Sequence, residues 1–288
     1  MFIAKILVPL TGGQKDRVSL DTAFALAKRL NAFVDAMFVY PDIREAIPTS
    51  DMPISSEIMQ SLIDAAEAAK KKASSAARES FSMAAALCDA RIVSQPERGD
   101  PVTTTYREET GHFRDVLDRE AILSDLVVFP TMTGTDSENV RQPLIDVLTR
   151  QGRPVLLCAE RAPKTVGSAV LIGWDGGAAA AQALCASLPI LEKADAVQFA
   201  CVRPSDTLER PLNDAKEYLS LHGIKACETL IEAPKLPIAQ ELLETAAASE
   251  YDLLVCGGYG HSRMLETVFG GTTDYLLSHA TMPIFLAH

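Results

Sequence analysis

Short apolar runs punctuated by glycine, proline and acidic residues recur along this chain, alternating with longer stretches in which apolar and polar positions interleave at helical spacing. The run ILVPL at Ile6–Leu10 ends in Thr11, Gly12 and Gly13, and VLIGW at Val170–Trp174 ends in Asp175, Gly176 and Gly177, 164 residues later. Such runs are too brief for helices and suit strands covered on both faces, the setting of a parallel sheet. An alanine-rich amphipathic stretch follows each, SLDTAFALAKRL or AAAAQALCASLPIL, and then another strand, AFVDAMFVY or DAVQFACV. Further on, SDLVVFP at Asp125 corresponds to YDLLVCG at Asp252, and GRPVLLCAE at Pro154 to TMPIFLAH at Pro283. A repeat of about half the chain means two copies of one domain, not a solenoid.

Alternation of strands and helices within each copy predicts two tandem doubly wound α/β domains, each with a five-stranded parallel sheet flanked by helices. The first copy adds a helix over Ile58–Ala86, a strand at TTTYREET and a helix at FRDVLDREAILS. Its counterpart adds a helix over Leu208–His222, a strand at IKACETLIEA and a helix at PIAQELLETAAAS. The polar, proline-containing PKTVG segment places the boundary so that the domains are 1–163 and 164–288. Residues 41–57, with three prolines, have no counterpart of equal length and read as an irregular loop, either a plain surface insertion or a lid.

The stretch from Tyr251 to Leu277 carries the candidate chemistry. An apolar strand, Leu253–Cys256, runs into a loop with Gly257 and Gly260, and a second pair, Gly270 and Gly271, precedes Thr272, Thr273 and Asp274, residue types that start helices. Glycines allow close backbone approach to a ligand, and the unpaired N–H groups of a helix start favour anions, so phosphate could be held there without a lysine. The alternative is that these glycines only shape a tight turn above the sheet.

Gly257, Gly260 and Gly270 follow the spacing G-x2-G-x9-G, which resembles the nucleotide loop of the universal stress protein family. In ATP-binding members of that family a Ser or Thr comes next, whereas here Gly271 holds that place and Thr272 supplies the hydroxyl one residue later. The resemblance covers both halves. It implies an adenine nucleotide α-hydrolase-like fold, binding of ATP (with Mg) or a related adenine nucleotide, and Asp175 at the end of the first strand of the second half as the adenine partner. Cofactor-binding residues on this reading are Asp175, Gly257, Gly260, Gly270, Gly271 and Thr272. In the first half Thr11 replaces the aspartate, and Pro130, Thr133 and Arg141 fall where the three glycines stand, so that copy reads as degenerate; Arg141 either meets an anion or is simply solvated. Trp174, adjacent to Asp175, is expected in the core by strand alternation.

Charge and composition narrow the classes. A formal charge of −11 and a pI near 5.0 argue against a broad nucleic-acid or anionic-membrane surface, and 48% hydrophobic residues supply ample core. No apolar window reaches the length of a membrane span, and the N-terminus reads as a strand, not a signal peptide. The six cysteines are scattered and read as buried free thiols, the five histidines lack metal-site spacing, and a reducing cytoplasm fits both. No P-loop lysine, carboxylate pair or nucleophile elbow stands out, so a regulatory binding protein is favoured over an enzyme. Two rivals stay open: a structural or interaction member of the family that binds no nucleotide, and a slow ATP-hydrolysing or autophosphorylating enzyme acting through Thr272 or Thr273. The apolar strands PVLLC and PIFLA, exposed if each half stood alone, are expected to pair the halves as an intramolecular pseudo-dimer, and a further homodimer is compatible with the sequence.

Overall fold

A computed structural model describes residues 2–40, 55–132, 138–201, 211–231, 236–259 and 271–288. The first part of the chain forms β1 (Lys5–Leu10), α1 (Lys15–Leu30), β2 (Phe33–Tyr40), α2 (Ser56–Leu87), β3 (Arg91–Ile92), β4 (Thr103–Thr110), α3 (Phe113–Ala121), β5 (Leu126–Phe129), α4 (Glu138–Thr149) and β6 (Val155–Leu157). The second forms β7 (Ala169–Gly173), α5 (Ala178–Leu191), β8 (Ala196–Cys201), α6 (Leu212–Leu221), β9 (Cys227–Leu230), α7 (Ile238–Ala248), β10 (Leu253–Gly257), α8 (Gly271–His279) and β11 (Ile284–Ala287).

All eleven strands join one sheet in the order β3-β4-β2-β1-β5-β6-β11-β10-β7-β8-β9. Apart from the two-residue β3, each half runs outward from its first strand in both directions: β2 then β4 on one side of β1 and β5 then β6 on the other, β8 then β9 and β10 then β11 around β7. Within each half every pairing is parallel. The halves meet where β11 pairs antiparallel with β6, in the register Ile284↔Leu157, Phe285↔Leu156 and Leu286↔Val155.

The continuous apolar runs have the cause expected of them, because the central strands are covered on both sides. One apolar layer contains Ile6, Val8 and Phe24 of the first half with Val170, Ile172 and Phe285 of the second. The other contains Leu7, Phe129 and Leu148 with Leu171, Leu254 and Leu286. Neighbouring residues of β1 thus enter opposite layers, as the period of two requires. Both layers run through the β6–β11 seam. Trp174 is buried and packs edge-on against Phe199, as its place in the strand alternation predicts.

Three expectations need adjustment. Among the described residues the first half has six strands, not five, because Arg91 and Ile92 pair with Thr103 and Thr104 as an exposed edge too short to leave a pattern. Helix α2 begins at Ser56, with Ser55 Oγ accepting from the Ile58 amide at 3.3 Å, so the end of the 41–57 stretch is helical; residues 41–54 lie outside the described residues. Finally, Cys158, Cys201 and Cys256 are buried, but Cys185 and Cys227 are exposed, one on the outer side of α5 and one on the edge strand β9.

Candidate functional site

In a doubly wound sheet the connections after two neighbouring strands leave in opposite directions where the strand order reverses, opening a crevice beyond their carboxyl ends. In the second half that place lies between β7 and β10, which pair through Leu253↔Val170, Leu254↔Leu171 and Val255↔Ile172. Asp175 follows β7, and Gly257 ends β10 with Gly258 and Tyr259 after it, so the two segments chosen from the sequence border the same crevice. Their proximity is felt at Cys256, whose thiol is pushed up to about 12 by burial and by the negative charge of Asp175.

Asp175 is exposed, and its Oδ1 accepts the Gly177 amide at 2.8 Å, a side-chain turn that leads into α5 while Gly176 takes φ +77°. Gly257 is required by packing. A Cβ there would lie 2.6 Å from the carbonyl carbon of Ala179 and the amide of Ala180, so the start of α5 rests directly on the end of β10. At Gly258 a Cβ would meet Leu148 Cδ2 at 2.7 Å, a side chain contributed by α4 of the first half.

Tyr259 is not a glycine, yet it sits at φ +56°. Such a backbone costs a non-glycine residue about 1–3 kcal/mol and persists where surrounding bonds enforce it. Here the Tyr259 amide donates to Thr273 Oγ1 at 3.1 Å and its hydroxyl donates to Asp274 Oδ1 at 3.3 Å, tying the loop start to the first turn of α8. Burial and the Asp274 charge together raise the phenol above its ordinary range. Gly271 and Thr272 open α8 on the exposed surface, and a Cβ at Gly271 would meet nothing within 4 Å. Thr273 is buried, its hydroxyl committed to Tyr259. Gly260 and Gly270 lie outside the described residues. His288 Nδ1 stands 2.9 Å from the Gly258 carbonyl.

One contributor was legible only as an ambiguous residue. Arg141, at the start of α4, places Nη2 2.5 Å from Asp274 Oδ1, so a first-half cation stands beside the first turn of α8. No spacing rule could have paired positions so far apart in the chain. Among the described residues no cluster of three or more metal-ligating side chains occurs, and no helix is long and apolar enough to cross a membrane.

The equivalent place in the first half is built differently. Thr11 and Gly12 donate their amides to the carboxylate of Asp16, at 3.1 and 2.7 Å, and the Thr11 hydroxyl adds a bond of 3.2 Å. Asp16 is buried, and that burial outweighs those bonds, raising its pKa to about 6. Helix α2 presses on the same turn: Gly12 has φ +79°, and a Cβ there would lie 2.5 Å from the Ala73 carbonyl oxygen. Lys15 Nζ donates to the Thr131 carbonyl at 3.0 Å across the mouth. The role of Asp16 was missed in the sequence, where the only signal is an acid in the first helical turn after Thr-Gly-Gly.

Residues 168–288 match the model of the Universal stress protein family. No curated protein sequence matches the chain significantly. Among solved structures, a universal stress protein from Archaeoglobus fulgidus DSM 4304 is 12% identical and superimposes with a TM-score of 0.67, covering 98% of this chain and 97% of that one. A protein of unknown function from Pseudomonas aeruginosa PAO1 is 14% identical with a TM-score of 0.55, covering 99% and 92%. At these identities the likeness is one of fold, extending over both halves.

Proposed function

We propose that this chain, whose residues 168–288 match the model of the Universal stress protein family, is a stress-response protein whose second half, 164–288, binds ATP or a related adenine nucleotide, while the first, 1–163, keeps the fold without the ligand. The observation that carries this reading is the convergence of Asp175 and the Gly257–Tyr259 turn on one crevice at the carboxyl ends of β7 and β10, with the first turn of α8 bonded to the same turn. Asp175 would meet the base. The exposed start of α8, Gly271 and Thr272, with Gly257, Gly260 and Gly270 of the spacing motif, would face the phosphates, and Mg would accompany ATP. We propose a regulatory binding role in the cytoplasm, with bound nucleotide altering association, and the β6–β11 pairing supports the halves acting as a pseudo-twofold pair.

A second reading, a family member that binds no nucleotide, is favoured by one observation: Asp274 and Arg141 set the protein's own charges at the start of α8. The experiment that separates the two is chromatography of the supernatant after denaturing freshly purified protein, followed by titration of ATP into nucleotide-free protein. Released adenine nucleotide at about one per chain supports the first reading. None released and no binding heat supports the second.

A further inference from the structure

The second-half crevice is not built by the second half alone. Helix α4 of the first half reaches it twice: Leu148 fills the space beside Gly258, and Arg141 stands against Asp274. Asp274 Oδ1 also accepts the Tyr259 hydroxyl, so Arg141, Tyr259 and Asp274 form one cluster at the first turn of α8. We infer that Arg141 is a recognition residue for the phosphate of a nucleotide held in the second half, and that Asp274 is the resident anion which phosphate displaces from it. This inference rests on the nucleotide reading above.

Accessibility and charge favour it. The Arg141 side chain is 35% exposed and that of Asp274 28%, so the pair is open to solvent and to an incoming anion. An ion pair at that exposure is weak. A phosphate offers more charge than a carboxylate and three oxygens to the planar fork of an arginine, which binds such groups in bidentate fashion. The exchange therefore replaces a weaker partner with a stronger one while Asp274 keeps the Tyr259 hydroxyl. In a chain of net charge −11, a local cation adds to the backbone N–H groups of the helix start in attracting an anionic ligand. By the repeat, Arg141 stands where the other half has Gly270, so the substitution that spoils the first half's own loop supplies a cation to its neighbour.

The test is calorimetric titration of ATP and of adenosine into the full chain as wild type, Arg141→Ala, Arg141→Lys and Asp274→Asn. Loss of the guanidinium is expected to weaken ATP about tenfold and leave adenosine unchanged, with Arg141→Lys between the two. Asp274→Asn, which frees Arg141 and removes a repelling charge, is expected to tighten ATP severalfold. A purely structural clamp gives a different result: Asp274→Asn then weakens ATP and adenosine alike, as does Arg141→Ala, and this outcome overturns the assignment. Unchanged ATP affinity in Arg141→Ala overturns it too and leaves the nucleotide reading standing. A wild type that binds neither ligand overturns the nucleotide reading itself.

Discussion

The carboxyl ends of β1 and β7 show one fold building the same place in two ways. After β7, the carboxylate of Asp175 accepts the Gly177 amide and the residue is exposed. After β1, the acid stands five residues on, at Asp16, and folds back into the strand end, where it accepts the amides of Thr11 and Gly12. Helix α2 then lies across the turn at Gly12. The comparison teaches that the same strand end can be finished in two ways, one capped by a buried carboxylate and one carrying an exposed one, while strands and core are unchanged.

The largest expected effect breaks the closed side. Gly12→Ala combines a left-handed backbone with a contact of 2.5 Å to the Ala73 carbonyl oxygen, and the two penalties together should cost about 2–5 kcal/mol in urea unfolding. A loss below about 0.5 kcal/mol would mean that α2 does not seal that mouth.

Next comes the pH dependence of Asp16. Its folded pKa of about 6 lies above the ordinary 3.8, so the folded state favours the protonated form. Stability from this group is full below about pH 4 and is lost as pH rises through about 6, a fall of about 3 kcal/mol. Asp16→Asn should flatten the stability profile in that window. An identical profile in the variant would show that the carboxyl does not titrate between those values.

The smallest effect on stability sharpens the open side. Gly257→Ala meets backbone atoms at 2.6 Å and should destabilise by about 1–3 kcal/mol with no ligand present. Gly271→Ser has free space and should shift stability by less than about 0.5 kcal/mol. If phosphate lies at the start of α8, the added hydroxyl should tighten ATP about tenfold, at the strength of a hydrogen bond to a charged group. Calorimetry on the serine variant distinguishes a glycine needed for packing from a place where the ligand's own demand is read; unchanged affinity would remove Gly271 from the site.

How much of this was legible follows from the range of each interaction. Buried parallel strands announce themselves because both faces are apolar, so Ile6–Leu10 and Leu253–Cys256 were readable, and so was the halving of the chain. Arg91–Ile92 was not, since two exposed residues have no period. Cys185 misled because α5 is apolar nearly all round, which hides its outer side. At the crevice, the strand ends that carry Asp175 and Gly257 were readable from the local apolar pattern. Asp16 needed the knowledge that its carboxylate folds backward, and the meeting of Arg141 with Asp274 depends on the β6–β11 seam, a contact fixed only in three dimensions. The packing demand at Gly257 was also invisible, because Ala179 lies on another element.

That seam has a consequence for how the molecule is made. Strand β6 can join β5 as soon as the first half emerges from the ribosome, but its other edge, Val155–Leu157, is apolar and finds its partner only when Ile284–Leu286 appears. The delay is roughly 130 residues, or about 6–25 s at ordinary elongation rates, during which an open hydrophobic edge is available to any other nascent chain. Slow translation of the second half should therefore increase aggregation of this protein more than slow translation of the first.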